Sequence, residues 1–376
     1  MLKFHQDGTF RIMQITDLHE GPDPSQDTLD LVGNALDREK PDLVIFTGDQ
    51  LKGMSSKFRD RPDVTRQVIH GVVHPLEVRG VPFMVTFGNH DDHCGLTNRQ
   101  QYEIYAEHEN MLRGAVRSED DVGTADIPIY SSDGARKVFN LYLFDSHGNT
   151  GKNGGYDPVS EEQLAWYEAE RDRLREETGA YLPSLVFQHI PIPEYYDVLR
   201  KVPVKTKGAV PAYGGPHDGE WFELDWRTAA KGGFLGEAPS SPDRNTGEFE
   251  KMNEHGDVLG IYVGHYHNNC FVIRKGNIDL GYTQGAGFDN YGPGVRRGVR
   301  IFELNENRPG EYRTYTMTYE QLCGPKVRNP IQEFIYAHAP TSPRAFEWML
   351  IKLGVFTAAA GGTCWYIRHR RKKNGQ

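Results

Sequence analysis

A short apolar segment followed by aspartate, asparagine or histidine recurs five times in this sequence. The polar residues that follow these segments are Asp17 with His19, Asp49, Asn89 with His90, His189, and His265 with His267. Helical patterns separate several of the segments, and strands that alternate with helices predict an α/β fold. Ligands in such folds collect beyond the carboxyl ends of the strands. We therefore expect the five polar clusters to meet at one edge of the fold.

The first cluster shows how such a site could form. Ile12, Met13 and Ile15 indicate a short buried strand that ends close to Asp17. Residues two apart on an extended chain point to the same side, so Asp17 and His19 are expected to face one shared ion. An Asp-x-His pair alone is a weak signal, because it recurs by chance in long chains. The four later clusters strengthen it.

Phe249 and Met252 indicate a helix that ends at Gly256, and apolar spacing or a capping box predicts four earlier helices. We expect them over Leu29–Leu36, over Val64–Leu76, from Thr97 to about Met111, and from Ser160 to about Thr178. A run of strands then begins at Val258, which indicates more than one layer of sheet. The stretch from Pro191 to Asn245 is too long for a simple loop and is expected to cover another part of the molecule.

The polar clusters contain carboxylate, amide and imidazole groups but no thiolate. Such a mixed set suits first-row divalent metals without identifying one of them. If His90 is not counted, the set has seven potential ligands. Seven are too many for one four-coordinate ion, but they fit two ions that share a carboxylate. Two ions roughly 3.5–4 Å apart can activate a bridging water and hold both oxygens of an in-line displacement at phosphorus.

The ordered series resembles the calcineurin-like metallophosphoesterase superfamily. The motifs are Asp17-x-His19, Gly48-Asp49, Gly88-Asn89-His90-Asp91, His189 and Gly264-His265-x-His267. Within that superfamily the chain is most similar to the small purple-acid-phosphatase-like group, through Lys40–Val44, Gly48–Gln50, His189–Tyr195 and Gly256–Val258. The resemblance implies a layered αββα sandwich of two mixed β-sheets flanked by helices, over residues 1–322.

The resemblance also implies a role for each matching residue. One ion would be held by Asp17, His19, Asp49 and His267, and the second by Asp49, Asn89, His189 and His265, with Asp49 bridging. His90 would be the general acid for the leaving group or a donor to the phosphate. The first motif is Asp-x-His, and Lys52 stands where true purple acid phosphatases have a tyrosine ligand. A colourless enzyme is therefore expected.

The implied function is hydrolysis of phosphate esters by two divalent ions of the Fe, Zn or Mn class, with a bridging hydroxide as nucleophile and a small phosphorylated substrate. Two alternatives stay open at this point. The enzyme could act on phosphodiesters rather than monoesters, since the metal ligands do not distinguish these substrates. The chain could also be a non-catalytic metal-binding scaffold, which would predict eroded ligands, and none of the ligands is missing.

Composition excludes few other functions. The chain has 52 acidic and 43 basic residues, a net charge of −9, so no nucleic-acid partner is expected. Its four cysteines lie far apart in 376 residues, which suggests neither a disulfide framework nor a thiolate zinc site. The first ten residues have no apolar core of signal-peptide length.

The C-terminal end has a different character. Trp348–Ile367 is mainly apolar, with Lys352 near one end and a basic stretch after it. This pattern predicts a linker over 323–345, a transmembrane helix over 346–367 and a basic tail over 368–376; an amphipathic or core helix is the alternative. The basic tail would favour an outside position for the main domain, but the missing signal peptide favours a cytoplasmic domain held by a C-terminal anchor.

Overall fold

The strands follow the apolar runs of the sequence. The structure is a computed structural model that describes residues 1–150 and 155–337. Its strands in chain order are β1 (Leu2–Lys3), β2 (Thr9–Ile15), β3 (Leu43–Thr47), β4 (Phe83–Thr86), β5 (Ala115–Ser118), β6 (Asp121–Tyr130), β7 (Lys137–Leu143), β8 (Ser184–Phe187), β9 (Leu199–Val202), β10 (Val210–Pro211), β11 (Trp221–Leu224), β12 (Phe234–Leu235), β13 (Val258–Val263), β14 (Asn269–Lys275), β15 (Ile278–Tyr282), β16 (Gly298–Asn305) and β17 (Tyr312–Thr318).

The helices begin and end at recognisable signals. In chain order they are α1 (Gln26–Glu39), α2 (Pro62–Glu77), α3 (Asn98–Tyr105), α4 (Glu161–Thr178), α5 (Glu248–Asn253), α6 (Tyr319–Cys323) and α7 (Pro330–Ala337). Thr97 and Ser160 form the expected capping boxes of α3 and α4 with Gln100 and Gln163. Each box satisfies two backbone donors that the first turn of a helix leaves free.

Two mixed sheets form the body of the fold. A five-stranded sheet has the order β17-β16-β2-β3-β4, with β2, β3 and β4 parallel. A nine-stranded sheet has the order β1-β6-β7-β8-β13-β15-β14-β12, with β5 beside β6, and here β7, β8, β13 and β15 are parallel. The predicted α/β fold of mixed sheets and helices is confirmed.

Alternate residues of the strands supply the layers between these elements. Ile12 and Ile45 lie with Leu141 and Leu185 in a core between the two sheets. Their neighbours Met13, Val44 and Phe46 face the other way and pack against α1 and α2. The outer face of the larger sheet packs against α4 and α5 through side chains such as Val186, Ile261, Leu164 and Met252. The order of layers is therefore helix, sheet, sheet, helix.

The structure corrects two expectations about single elements. Helix α3 ends at Tyr105 rather than near Met111, because Asn110 and Leu112 pair with Phe83 at the start of β4. The pair β5–β6 was not predicted, since Gly123, Asp126 and Pro128 interrupt the apolar pattern of β6. The stretch from Pro191 to Asn245 contains a small sheet of order β10-β11-β9 that packs on the larger sheet's outer core.

Most of the predicted C-terminal segments fall outside the described residues. Within residues 1–150 and 155–337 no helix is both long and apolar enough to cross a membrane. The predicted span over 346–367 and the basic tail lie outside those ranges. The described part of the predicted linker contains helix α7, which is paired with the domain through Glu333 and Arg297.

Candidate metal centre

The polar clusters meet where the two sheets come together. Strands β2, β3 and β4 of one sheet end just before Asp17, Asp49 and Asn89. Strands β8 and β13 of the other sheet end just before His189 and His265. Because all five strands are parallel to a neighbour within their own sheets, their carboxyl ends deliver these side chains to one place. This expectation of the sequence is confirmed.

Left-handed backbone turns aim several of these side chains. Asp17, His19, Asp49 and His265 have φ angles of 54°, 46°, 54° and 79°. Non-glycine residues rarely adopt this conformation, and it costs of order 1–3 kcal/mol each. Asp17 and His19 were expected to share a side because the chain is extended there. That reason is wrong, since both residues have left-handed φ angles rather than the extended conformation that a pleat requires.

Glycines allow the turns to touch one another. Gly48 has a φ of 90°, and a Cβ there would lie 2.6 Å from both the Gly88 nitrogen and the His189 Nδ1 atom. A Cβ at Gly88 would lie 2.3 Å from Asp49 Oδ1. The loops after β3 and β4 therefore pack backbone to backbone, which leaves room for no side chain at either glycine.

Asp49 lies at the middle of the cluster. Its Oδ2 atom is 3.4 Å from His19 Nε2 and 3.4 Å from His189 Nε2. Its other oxygen accepts the backbone N–H of His90 at 2.9 Å. One carboxylate oxygen thus faces imidazoles that come from different sheets.

Asp17, His19 and His267 form one group of potential ligands. Nε2 of His267 lies 3.4 Å from Asp17 Oδ1 and 3.0 Å from Nε2 of His19. The other oxygen of Asp17 accepts hydrogen bonds from the Thr16 hydroxyl and the His265 backbone N–H. Among the residues that the structure describes, no group forms a hydrogen bond with the buried Asp17 Oδ1 atom.

Asn89, His189 and His265 lie on the other side of Asp49. Asn89 Oδ1 is 3.2 Å from His189 Nε2. The rings of His189 and His265 are 5.2 Å apart between centroids, and within the described residues the buried Nε2 of His265 has no hydrogen-bond partner. The structure therefore brings together all seven residues that were predicted as ligands.

Two of the histidines are oriented by backbone carbonyls. Nδ1 of His189 donates to the Thr47 carbonyl at 2.9 Å, and Nδ1 of His267 donates to the Tyr291 carbonyl at 2.7 Å. A carbonyl accepts and cannot donate, so each Nδ1 carries a proton and each Nε2 is directed to the centre. Histidine ligands of metals are typically fixed in this way.

The charges in the cluster are unevenly distributed. Burial raises the pKa of Asp17 to about 7. Burial also opposes ionisation of Asp49, but the charge of His189, followed by that of His90, holds the pKa of Asp49 well below its usual range. Burial acts to lower the pKa of His189, yet Asp49 raises it to about 10. The pKa shifts of Asp49 and His189 thus show that each side chain favours the charged form of the other.

Burial favours the neutral form of three other histidines, His19, His265 and His267. Burial lowers the pKa of His267 to about 4 and lowers the pKa values of His19 and His265 well below their usual range. Neutral imidazole is the form that binds metals. The donor set fits metal ions, because buried carboxylate and imidazole atoms face one another and Asp17 Oδ1 and His265 Nε2 have no other partner.

His90 lies at the edge of the cluster, half-buried, with its ring 5.6 Å from that of His19. Asp91 follows His90 in the same motif. It is fully buried and accepts the backbone N–H groups of Gly88, Asp49 and Leu51. Asp91 thereby ties the loops after β3 and β4 together.

Two tyrosines at the site were not predicted. Tyr291 stacks on His267 with ring centroids 4.1 Å apart and planes 9° apart. Tyr156 meets the His265 ring edge-on at 4.6 Å. Neither residue directly follows a strand, so no periodic signal could have identified it.

A cleft opens beside Tyr156. It has a volume of about 310 Å³, and its lining includes Tyr156, Tyr196, Tyr213, His217, Ser240 and Asp243. The rings of Tyr196 and His217 stack at 4.0 Å. The cleft therefore offers aromatic faces, hydroxyl groups and one carboxylate next to the His265 side of the cluster.

Comparisons with known proteins agree with this geometry. The model of the calcineurin-like phosphoesterase family matches residues 10–269. The probable inactive purple acid phosphatase 14 of Arabidopsis thaliana is 27% identical over 339 residues, which cover 80% of this chain and 77% of the relative. The phosphatase DCR2 of Saccharomyces cerevisiae is 30% identical over 381 residues, which cover 89% of this chain and 58% of the relative.

Among solved structures, a dimetal phosphatase from Danio rerio is 13% identical, with 82% of this chain and 99% of that chain covered and a TM-score of 0.49. The family match covers more than half of the present sequence and includes all five polar clusters. The chain belongs to the calcineurin-like phosphoesterase family, a family of hydrolases that act on phosphoester bonds.

Proposed function

We propose that this chain hydrolyses phosphate esters at a dinuclear metal centre built on Asp49. One ion would be held by Asp17, His19, Asp49 and His267, and the other by Asp49, Asn89, His189 and His265. The observation that carries this proposal is the position of Asp49 Oδ2, 3.4 Å from imidazole nitrogens on both sides. When bound, two such ions would activate a water molecule and neutralise charge that develops on the phosphoryl group.

The protein residues have separate tasks in this proposal. Asp49 lies at the shared position, while Thr47 and Tyr291 hold His189 and His267 through their Nδ1 atoms. Asp91 holds the loops that carry Asp49 and Asn89. His90, at the edge of the cluster, would donate a proton to the leaving oxygen or a hydrogen bond to the phosphate.

The cleft beside Tyr156 would receive the group that the phosphate leaves. Its named lining residues are aromatic or hydroxylic apart from Asp243, and a carboxylate repels a second anionic group. We therefore expect faster hydrolysis of an aryl phosphate than of a substrate that carries a further phosphate in its leaving group. A comparison of kcat/KM for p-nitrophenyl phosphate, bis(p-nitrophenyl) phosphate and a nucleoside diphosphate tests this order and separates monoesterase from diesterase activity.

The decisive test combines metal analysis with an activity assay. The full chain should contain close to two ions after purification and should hydrolyse p-nitrophenyl phosphate or its diester, and Asp49→Asn should lose both properties. Asp37→Asn, an exposed carboxylate in α1, is the matched control. Full activity in a chelator-treated, metal-free preparation would overturn the proposal.

A non-catalytic scaffold is the second candidate, because the Arabidopsis relative is named as probably inactive. Bound ions without hydrolysis of any phosphomonoester, diester or nucleotide would favour that function. The orphaned Asp17 Oδ1 and His265 Nε2 atoms support metal binding under either function, whereas the half-buried His90 beside them supports catalysis.

Membrane association through residues 346–367 is a separate proposal that rests on the apolar sequence and its basic flank. A chain that ends at residue 344 should stay in the supernatant when cell membranes are pelleted, whereas the full chain should pellet with its main domain on the cytoplasmic side. A full chain that is soluble without detergent would contradict the anchor.

A further inference from the structure

A buried arginine beside the site holds a loop that carries no metal ligand. Arg297 is fully buried, and its Nη1 atom donates to Glu333 Oε2 of helix α7 at 2.7 Å. Its Nε and Nη2 atoms donate to the carbonyls of Gly287 and Asn290, each at 2.7 Å. A buried guanidinium is stable only when it is paired and fully hydrogen-bonded, so Arg297, Glu333 and this loop form one unit.

The same loop contacts a predicted ligand. Tyr291 follows Asn290 in this loop. Its backbone carbonyl accepts a hydrogen bond from His267 Nδ1 at 2.7 Å, and its ring stacks on the His267 ring. On the other side of Tyr291, a Cβ at Gly292 would lie 2.8 Å from Arg297 Nε. Arg297 therefore contacts the chain immediately before and after the residue that orients His267.

Helix α7 also holds the beginning of this stretch. Gln332 and Tyr336 of α7 donate to Asp289 Oδ1 at 3.3 and 3.2 Å, while Lys52 pairs with Asp289 Oδ2 at 3.3 Å. The polar side of α7 thus faces the loop at Asp289 and, through Glu333, at Arg297. A helix in the predicted linker is connected to the site by two sets of contacts.

We propose that Arg297 and Glu333 are positioning residues for the metal ion on the His267 side of the centre. They fix the Tyr291 carbonyl, which selects the tautomer of His267 and directs its Nε2 atom toward Asp17 and His19. This inference rests on the proposed dinuclear centre. Mutation of a residue that hydrogen-bonds to a metal-bound histidine typically lowers metal affinity by about 10–100-fold. Here the loss of affinity would pass through one loop and would affect one of the two ions.

A calorimetric titration of Mn²⁺ into the metal-free full chain, without substrate, tests this inference. The wild-type protein should show two binding steps. Glu333→Ala should weaken one step by about tenfold or more and leave the other unchanged. His267→Ala should weaken the same step, and the double variant should weaken it no further than His267→Ala alone.

Two further variants make the result specific. Glu311→Ala removes an exposed ion pair with Arg308 and should leave both steps unchanged. Glu333→Gln keeps an acceptor oxygen for Arg297, so it should fold and give a smaller loss than Glu333→Ala; this variant carries the test if the alanine variant is unfolded. If folded Glu333 variants bind Mn²⁺ in two steps with wild-type affinities, the inference about Arg297 and Glu333 is wrong and the proposed centre is unaffected. A wild-type protein that binds no Mn²⁺ or other divalent ion would overturn the proposed centre and the inference with it.

Discussion

At the scale of single residues, the geometry separates metal binding from proton transfer. Asp49 Oδ2 lies between imidazoles of the two sheets, whereas the His90 side chain lies outside that arrangement and approaches His93, with their Nδ1 atoms 3.4 Å apart. The backbone N–H of His90 contacts Asp49, and this contact is independent of the side chain. Replacing the His90 ring should therefore affect catalysis without dismantling the centre.

We expect His90→Asn to lower kcat for an aryl phosphate by about 10²–10⁴-fold, the usual contribution of a positioned general acid. The bound metal per chain should stay at the wild-type level, because the backbone contact to Asp49 is kept. Steady-state kinetics and elemental analysis of the same preparation measure the two quantities. His93→Asn is the matched neighbour and should cost much less; equal losses for both variants would remove His90 from its assigned role.

Gly48→Ala should destabilise the protein by about 1–3 kcal/mol, because φ is 90° and a Cβ would lie 2.6 Å from two atoms. Gly71→Ala is the matched control. Gly71 lies in helix α2 with nothing within 4 Å of the added carbon, so that change should stabilise by about 0.5–1 kcal/mol. Urea unfolding of the metal-free proteins compares them, and a Gly48 variant as stable as the wild type would contradict the close packing of these loops.

At the scale of elements, local signals explain what could be predicted. Apolar runs marked β2, β3 and β13, and Ser160 with Gln163 marked the start of α4. The position of a ligand just after a strand is a local property as well. By contrast, the contact of Tyr291 with His267 depends on a loop held by Arg297, whose own partner Glu333 in α7 lies 36 residues further along the chain. No local sequence pattern encodes contacts made by loops in this way, so neither Tyr291 nor Tyr156 was predicted to lie at the site.

Glu248, at the start of helix α5, leads to a prediction about how the stability of the fold depends on pH. Burial, and then the charge of Glu194, raise the pKa of Glu248 to about 8. The folded state therefore holds this proton more tightly than the unfolded state, so the contribution to stability is complete below the usual carboxyl pKa and is lost as pH rises through about 8. Glu248→Gln cannot ionise and should gain stability relative to the wild type between about pH 5 and pH 9.

Thermal unfolding of the two proteins at several pH values measures this gain. Glu250→Gln changes an exposed residue of the same helix and should shift the melting temperature equally at every pH. A difference between Glu248→Gln and wild type that is the same at about pH 5 and about pH 9 would contradict a buried, protonated Glu248.

At the scale of the whole molecule, the proposed centre lies between two sheets that meet elsewhere through an apolar core and through buried hydrogen bonds, such as those from Thr283 to Gln14 and from Arg300 to the Tyr282 carbonyl. Asp17 and Asp49 belong to loops of the five-stranded sheet, and His189 and His265 to loops of the larger sheet. Ions bound between these loops would favour the arrangement in which the sheets are packed, because the unfolded chain holds no such set of ligands. Metal should therefore stabilise the entire fold rather than the loops alone.

We expect removal of metal by a chelator to lower the melting temperature of the full chain, and addition of Mn²⁺ or Zn²⁺ to restore it. A single site stabilises by about 2.7 kcal/mol when free metal is at 100 times its dissociation constant. His267→Ala should respond less to metal than the wild type, since one of the two sites would be damaged, whereas Asp49→Asn should respond least, because Asp49 contributes to both. Equal responses of these two variants would show that Asp49 is not shared between the sites.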